Sequence, residues 1–152
     1  MKSIRVFKPK IFIDTNVLVD YLIPSAERHG QAADVFSLIL TSTVEAAIST
    51  QSILDAAYIG RRCPGFSQKD FREIVTTLLD RTNTDSISTF NLREALQDEH
   101  PDLEDNAQIA FAYDQCCDVL LTNDRELLAR EAPSPMKIMT PEEFLSHCRA
   151  GV

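Results

Sequence analysis

Two short apolar runs, Ile11-Phe12-Ile13 and Val119-Leu120-Leu121, each end directly in polar residues that suit the start of a helix. The first runs into Asp14-Thr15-Asn16 and the second into Thr122-Asn123-Asp124. Short β-type runs of this kind read as buried strands. Asp, Asn, Ser or Thr after such a run opens a helix by accepting hydrogen bonds from the free N–H groups of its first turn. Strands that alternate with helices pair in parallel through crossovers, so helices cover both faces of the sheet.

The intervening segments keep this rhythm. Val17, Leu18, Tyr21 and Leu22 repeat at helical spacing up to Pro24, and Ala32, Val35, Phe36, Ile39 and Leu40 mark a second amphipathic helix. Ala46-Ala47-Ile48-Ser49 is expected as a strand, with Thr50 or Ser52 capping a third helix through Ile53, Leu54, Ala57 and Tyr58 that stops near Gly60. After the Cys63-Pro64-Gly65 turn, Ser67 opens a helix carrying Phe71, Ile74, Val75, Leu78 and Leu79. Ser86-Ile87-Ser88-Thr89 reads as a weak strand, and Asn91 as the start of a short helix. Another helix, with Ala107, Ala110, Phe111 and Tyr113, follows the break at His100-Pro101-Asp102. Cys117–Thr122 is the strongest strand signal and leads into a short helix with Leu127 and Leu128. Met136–Met139 and a helix capped by Thr140 close the chain. The expected fold is α/β: a central parallel sheet of about four to five strands flanked by helices on both faces, in one domain over residues 1–152.

Composition narrows the functional classes. A chain of 152 residues with 44% hydrophobic and 25% charged residues can bury a core without staples, and is not disordered. No apolar run approaches the roughly 20 residues that span a bilayer. The basic segment Met1–Lys10 lacks the apolar core and cleavage site of an export signal, so a cytoplasmic protein with no membrane association is expected. Cys63, Cys116, Cys117 and Cys148 form no CxxC pair and read as buried small residues. His29, His100 and His147 have no metal-ligand spacing. With 15 Lys and Arg against 23 Asp and Glu the net charge is -8, which argues against a dedicated nucleic-acid-binding module. An enzyme that meets phosphates through a metal remains consistent with that balance.

In a parallel sheet, ligands bind beyond the carboxyl ends of the strands. Asp14 and Asp124 fall at that edge. Each, like Asp102, also suits a plain helix cap. Asp105 shares a helix face with Ile109 and Ala112, which holds its carboxylate toward the interior. Asp55 has apolar neighbours one turn on, Tyr58 and Ile59, although an acid within a helix ordinarily sits on a solvated face.

These segments resemble the motifs of the PIN-domain family. Ile11–Asp20 is similar to its opening motif, Ser49–Asp55 to the segment bearing its second acid, Asp102–Ala107 to the third-acid segment, and Leu121–Asp124 to the Thr-x-Asp that ends its fourth strand. Thr140–Leu145 is similar to its closing segment, so the resemblance spans about residues 10–146. It implies a three-layer α/β/α fold and a divalent-metal-dependent ribonuclease, many small bacterial members being VapC-type toxins paired with an antitoxin. It further implies an RNA substrate, a homodimer, and a site of Asp14, Asp55, Asp105 and Asp124, with Asn16, Thr122 and Glu104 in support.

Two residues depart from the pattern. Asp55 stands where Glu is commoner, and Arg125-Glu126 where the family often has a further Asp, which leaves Glu126 as its partial replacement. Oxygen-only donors select hard cations, so Mg²⁺ or Mn²⁺ is expected. Carboxylates about 4 Å apart repel by roughly 4 kcal/mol at an effective dielectric of 20, and a cation relieves this. Asp14 and Asp105 are the strongest ligand candidates, with Asp124 either a second ligand or the group that orients the attacking water. Arg61 and Arg62 either hold a substrate phosphate or favourably end a helix dipole.

Two other readings fit parts of the pattern. One is a non-catalytic PIN-like module that binds a partner protein. The other is a Mg²⁺-dependent aspartyl phosphatase or receiver-type domain. The phosphatase needs Asp-x-Asp after the first strand, where this chain has Asn16, and the receiver needs a Lys that Thr122-Asn123-Asp124 does not supply.

Overall fold

The computed structural model describes residues 7–151. Residues 1–6 and 152 lie outside the described residues, and with them most of the Met1–Lys10 segment read as lacking an export signal. Among the described residues, no helix is long and apolar enough to cross a membrane.

The strands are β1 (Lys10–Ile13), β2 (Glu45–Ser49), β3 (Asn83–Asp85), β4 (Val119–Leu121) and β5 (Lys137–Met139). They form one five-stranded sheet in the order β3-β2-β1-β4-β5, every pair parallel. Ile11 of the central strand sits opposite Ala46 on one side and Val119 on the other. The helices are α1 (Thr15–Leu22), α2 (His29–Leu40), α3 (Thr50–Gly60), α4 (Gln68–Arg81), α5 (Thr89–Ala95), α6 (Leu103–Asp114), α7 (Arg125–Leu128) and α8 (Pro141–Ala150).

Alternation along the strands sorts the core into two layers. Ile11, Ile13, Ala46, Ile48, Val119 and Leu121 face one side and pack with Leu18 of α1, Phe36 of α2, Ala56 of α3, Leu78 of α4 and Phe144 of α8. Phe12, Ala47 and Leu120 face the other side and meet Ile109 and Phe111 of α6 and Leu127 of α7. Phe12 and Phe111 meet edge to face, their centroids 5.7 Å apart. Burying a side chain of this size contributes about 1.5–3 kcal/mol, so these pairs fix which helix lies on which face.

Four local expectations need correction. The third strand is Asn83–Asp85 and not Ser86–Thr89, because Ala47, Ile48 and Ser49 pair with Asn83, Thr84 and Asp85. Ser88 is instead the N-cap of α5, and Asn91 is the third helical residue, closing a capping box with Ser88. Ser49, not Thr50 or Ser52, caps α3 by accepting from the Ser52 N–H. Of the cysteines only Cys117 is buried, its thiol pushed up to about 12 by that burial, while Cys116 is exposed.

The chain builds outward from β1 through β2 to β3, then crosses back to β4 and β5. Strand order therefore reverses between β1 and β4, which opens a crevice at their carboxyl ends. Asp14 and Thr122 stand there.

Candidate active site

Asp14 follows β1 as the N-cap of α1, and each of its hydrogen bonds has a local reason. Its Oδ1 accepts from the Thr15 N–H at 2.7 Å. Its Oδ2 accepts from Thr122 Oγ1 at 2.7 Å and from Asn16 Nδ2 at 2.8 Å. A carboxylate has about four acceptor positions, so about one remains open toward the crevice. Burial raises the Asp14 carboxyl above its ordinary range. The hydrogen bonds from Thr122, Thr15 and Asn16 oppose the rise, and the Asp124 charge adds to it.

Thr122 and Asn16 lock the two strand ends together. Asn16 Nδ2 also reaches Thr122 Oγ1 at 3.1 Å, and Asn16 Oδ1 accepts from the Asn123 N–H at 3.0 Å. Thr122 Oγ1 accepts in turn from the Asp124 N–H at 3.0 Å, which positions the start of α7. Asp124 caps that helix by accepting from the Glu126 N–H at 2.9 Å.

Asp102 caps α6 by accepting from the Asp105 N–H at 2.9 Å, and so turns Asp105 inward in the first turn. Asp105 is only 8% exposed, as its shared face with Ile109 and Ala112 predicts. Its carboxyl is raised from 3.8 to about 6 by burial first, then by the charges of Asp102, Asp124 and Asp14, with Arg130 opposing. Glu104 is raised as well, by burial and then by Asp55, Asp102 and Asp14. On α3, Asp55 is half-buried and accepts from Gln51 Nε2 at 2.8 Å.

The four acids named from the sequence come together. Asp14, Asp55, Asp105 and Asp124 line one cavity of about 610 Å³, joined by Asn16 and Glu104. Thr122 lies beneath it, fully buried. Arg61, Arg62 and Glu126 are not among its lining residues. Arg61 caps the end of α3. The Arg62 guanidinium lies 3.7 Å over the ring of Tyr58, a lining residue, and donates to the Tyr58 carbonyl at 3.0 Å.

Sequence reasoning missed several lining residues, among them Asp20, Tyr58 and Gln108, and it read Asp102 only as a cap. Gln108 is one helical turn beyond Asp105, so spacing on α6 is the signal that places it. The same spacing from Asp55 places Tyr58, which reads as an apolar core position but is exposed at the cavity rim.

The buried side-chain atoms left without a partner among the described residues are Thr15 Oγ1, Asp105 Oδ2, Gln108 Oε1 and Arg130 Nη1. The first three belong to residues that line the cavity. An orphaned buried acceptor costs about 1–3 kcal/mol, and more when it is charged. A hard divalent cation with its water shell would satisfy all three oxygens, so the donor set fits such an ion. Among the described residues, no three Asp, Glu, His or Cys side chains stand close enough together to hold an ion by themselves, so water has to supply part of any shell. An open, partly hydrated arrangement is the one Mg²⁺ takes, because it keeps several waters and uses one or two carboxylates.

Comparison with known proteins agrees with this geometry. The family profile described as PIN domain matches residues 10–126, most of the chain. The chain belongs to the PIN-domain family. A curated relative, Ribonuclease VapC1 of Aquifex aeolicus, is 22% identical over 143 residues, covering 89% of this chain and 92% of the relative. Among solved structures, Mycobacterium tuberculosis VapC20, described as a sarcin-ricin loop cleaving toxin, superposes with a TM-score of 0.63 at 16% identity. The match covers 83% of this PIN domain and 98% of that chain. FitAB bound to a DNA fragment matches with a TM-score of 0.59 at 18% identity, over 86% of this chain and 94% of the other. VapBC2 from Rickettsia felis, bound to a DNA fragment from its promoter, gives 0.57 at 15% identity, over 86% and 98%. At these identities the superpositions show a shared PIN fold.

Proposed function

We propose that this PIN domain is a divalent-metal-dependent ribonuclease that hydrolyses RNA phosphodiester bonds as the toxin of a toxin–antitoxin pair. One observation carries the chemistry: carboxylates from four separate segments line a single cavity at the crevice between β1 and β4. The family match carries the reaction class, and the relative named as a ribonuclease supports RNA as the substrate.

In this reading Asp14 and Asp105 hold Mg²⁺ or Mn²⁺, with Asp124 and Asp55 completing the site through direct or water-mediated contacts. When bound, the ion supplies charge neutralisation at the phosphate and acidifies water for in-line attack. Thr122 and Asn16 aim Asp14 and favour its ionised form against the effect of burial, since both donate to its Oδ2. Asp124 either ligates the ion or orients the nucleophilic water.

VapC20, FitAB and VapBC2 are among the structural neighbours, and the complexes among them support a protein antitoxin as partner. A net charge of -8 suits a basic partner segment. A homodimer is part of the reading, as the family resemblance implies. Light scattering on the purified chain tests this, and a monomer at micromolar concentration rejects the dimer.

The deciding test incubates total RNA with purified protein in Mn²⁺ or EDTA. Cleavage in Mn²⁺, none in EDTA, and none with Asp14→Asn or Asp105→Asn is expected. Full cleavage by folded Asp14→Asn protein overturns the mechanism. A non-catalytic module would leave the RNA intact while still taking up the ion.

A further inference from the structure

We propose that a second cavity beside the acidic one is a phosphate subsite, in which Arg28 and Arg125 hold a phosphodiester next to the one being cut. The assignment rests on the ribonuclease reading for its substrate. The cavity measures about 400 Å³, and its lining includes Arg28, Arg125, Gln31, Asn123, Glu27 and Glu142. Its dividing wall with the acidic cavity is the turn into α7. Asp124 lines the acidic side, whereas its neighbours Asn123 and Arg125 line the second cavity. Asn123 Nδ2 donates to Asp20 Oδ2 at 3.1 Å, and Asp20 lines the acidic side. Burial raises the Asp20 carboxyl, and Arg28 is the largest charge acting against that rise, so the guanidinium stands near the boundary.

Both arginines have donors to offer. Ion pairs within 4.0 Å among the described residues are Lys69–Glu73 and Arg130–Asp98, and neither involves Arg28 or Arg125. Arginine side chains that donate hydrogen bonds within the described protein are those of Arg62 and Arg130. A guanidinium presents five N–H groups in a planar fork that matches a phosphate through two parallel hydrogen bonds. Glu27 and Glu142 balance the two arginines in formal charge. The cavity therefore offers directed donors and not a broad positive field. The acidic cavity by itself repels a polyanion. A strand that enters it needs a cationic grip at one side to set its register over the metal, and the second cavity supplies one.

The test reads the salt dependence of binding, using a fluorescein-labelled single-stranded oligouridylate and the Asp14→Asn background to keep it uncut. Each phosphate contact on a single strand contributes about 0.7 to the slope of log Kobs against log salt. Because both side chains grip one phosphate, the double variant Arg28→Gln with Arg125→Gln should lower the slope by about 0.7, and each single variant by part of that. Arg72→Gln, an exposed change on α4, should leave the slope where it was. With Asp14 intact, the double variant should cut slowly at low RNA concentration and recover at saturating RNA. An unchanged slope in the double variant, or an equal drop with Arg72→Gln, overturns the subsite. The slope is read without cleavage, so the subsite stands or falls separately from the ribonuclease reading, which fails if total RNA stays intact in Mn²⁺.

Discussion

Thr122 Oγ1 donates to Asp14 Oδ2 at 2.7 Å, joining residues 108 positions apart at the ends of the two central strands. The same oxygen accepts from the Asp124 N–H, so one hydroxyl orients two of the candidate metal-site acids. Thr122→Val removes both links while keeping the shape of the side chain. It should lower Mn²⁺-dependent cleavage by about tenfold to a hundredfold, as loss of a group that orients a ligand does, and cost about 1–3 kcal/mol of stability. Thr122→Ser should restore most of both, by cleavage rate and thermal melt.

Asp105 predicts an opposite pairing of activity and stability. Its Oδ2 is buried without a partner, and three other carboxylates act on it. Asp105→Asn should abolish cleavage, yet in EDTA at neutral pH it should melt at or above the wild-type temperature. The charge that the ion requires is one that the metal-free fold carries at a cost. A strongly destabilised variant in EDTA would contradict this.

Acid enters through the same carboxyl. Metal binding needs it ionised, so at limiting Mn²⁺ the cleavage rate should fall about tenfold per pH unit below about 6. In the metal-free protein the direction reverses. Between 3.8 and about 6 the folded state binds more protons at Asp105 than the unfolded chain does. Rising pH therefore removes up to about 3 kcal/mol of stability over that window. Urea melts in EDTA at pH 4 and 7, compared between wild type and Asp105→Asn, isolate this contribution.

Ion binding itself should show in thermal stability. Mn²⁺ at a hundred times its dissociation constant stabilises the fold by about 2.7 kcal/mol, and EDTA removes the gain. Asp14→Asn should respond weakly to either.

Most of the framework was legible because hydrophobic period and capping chemistry agree along the chain. Ile11 and Ile13 on one face with Phe12 on the other, followed by Asp14, announce a buried strand and a helix cap within four residues. β3 escapes the sequence pattern because Asn83-Thr84-Asp85 contains no apolar residue, and an edge strand is defined by its pairing with β2 and not by its own pattern. Ile87, the apolar residue that suggested a strand nearby, packs instead against the layer around Phe12. Asp105 was legible as an inward-facing acid because spacing on one helix is a local property. Asp20 is not, since only the packing of α1 against the crevice turns it to the same cavity.

The central claim is that acids from distant parts of the chain meet to hold one divalent ion, and anomalous diffraction from crystals soaked in Mn²⁺ tests it most directly. A manganese peak is expected in the crevice between β1 and β4, about 2.1 Å from carboxylate oxygens of Asp14 and Asp105. A peak elsewhere, or an empty crevice at saturating Mn²⁺, would contradict it.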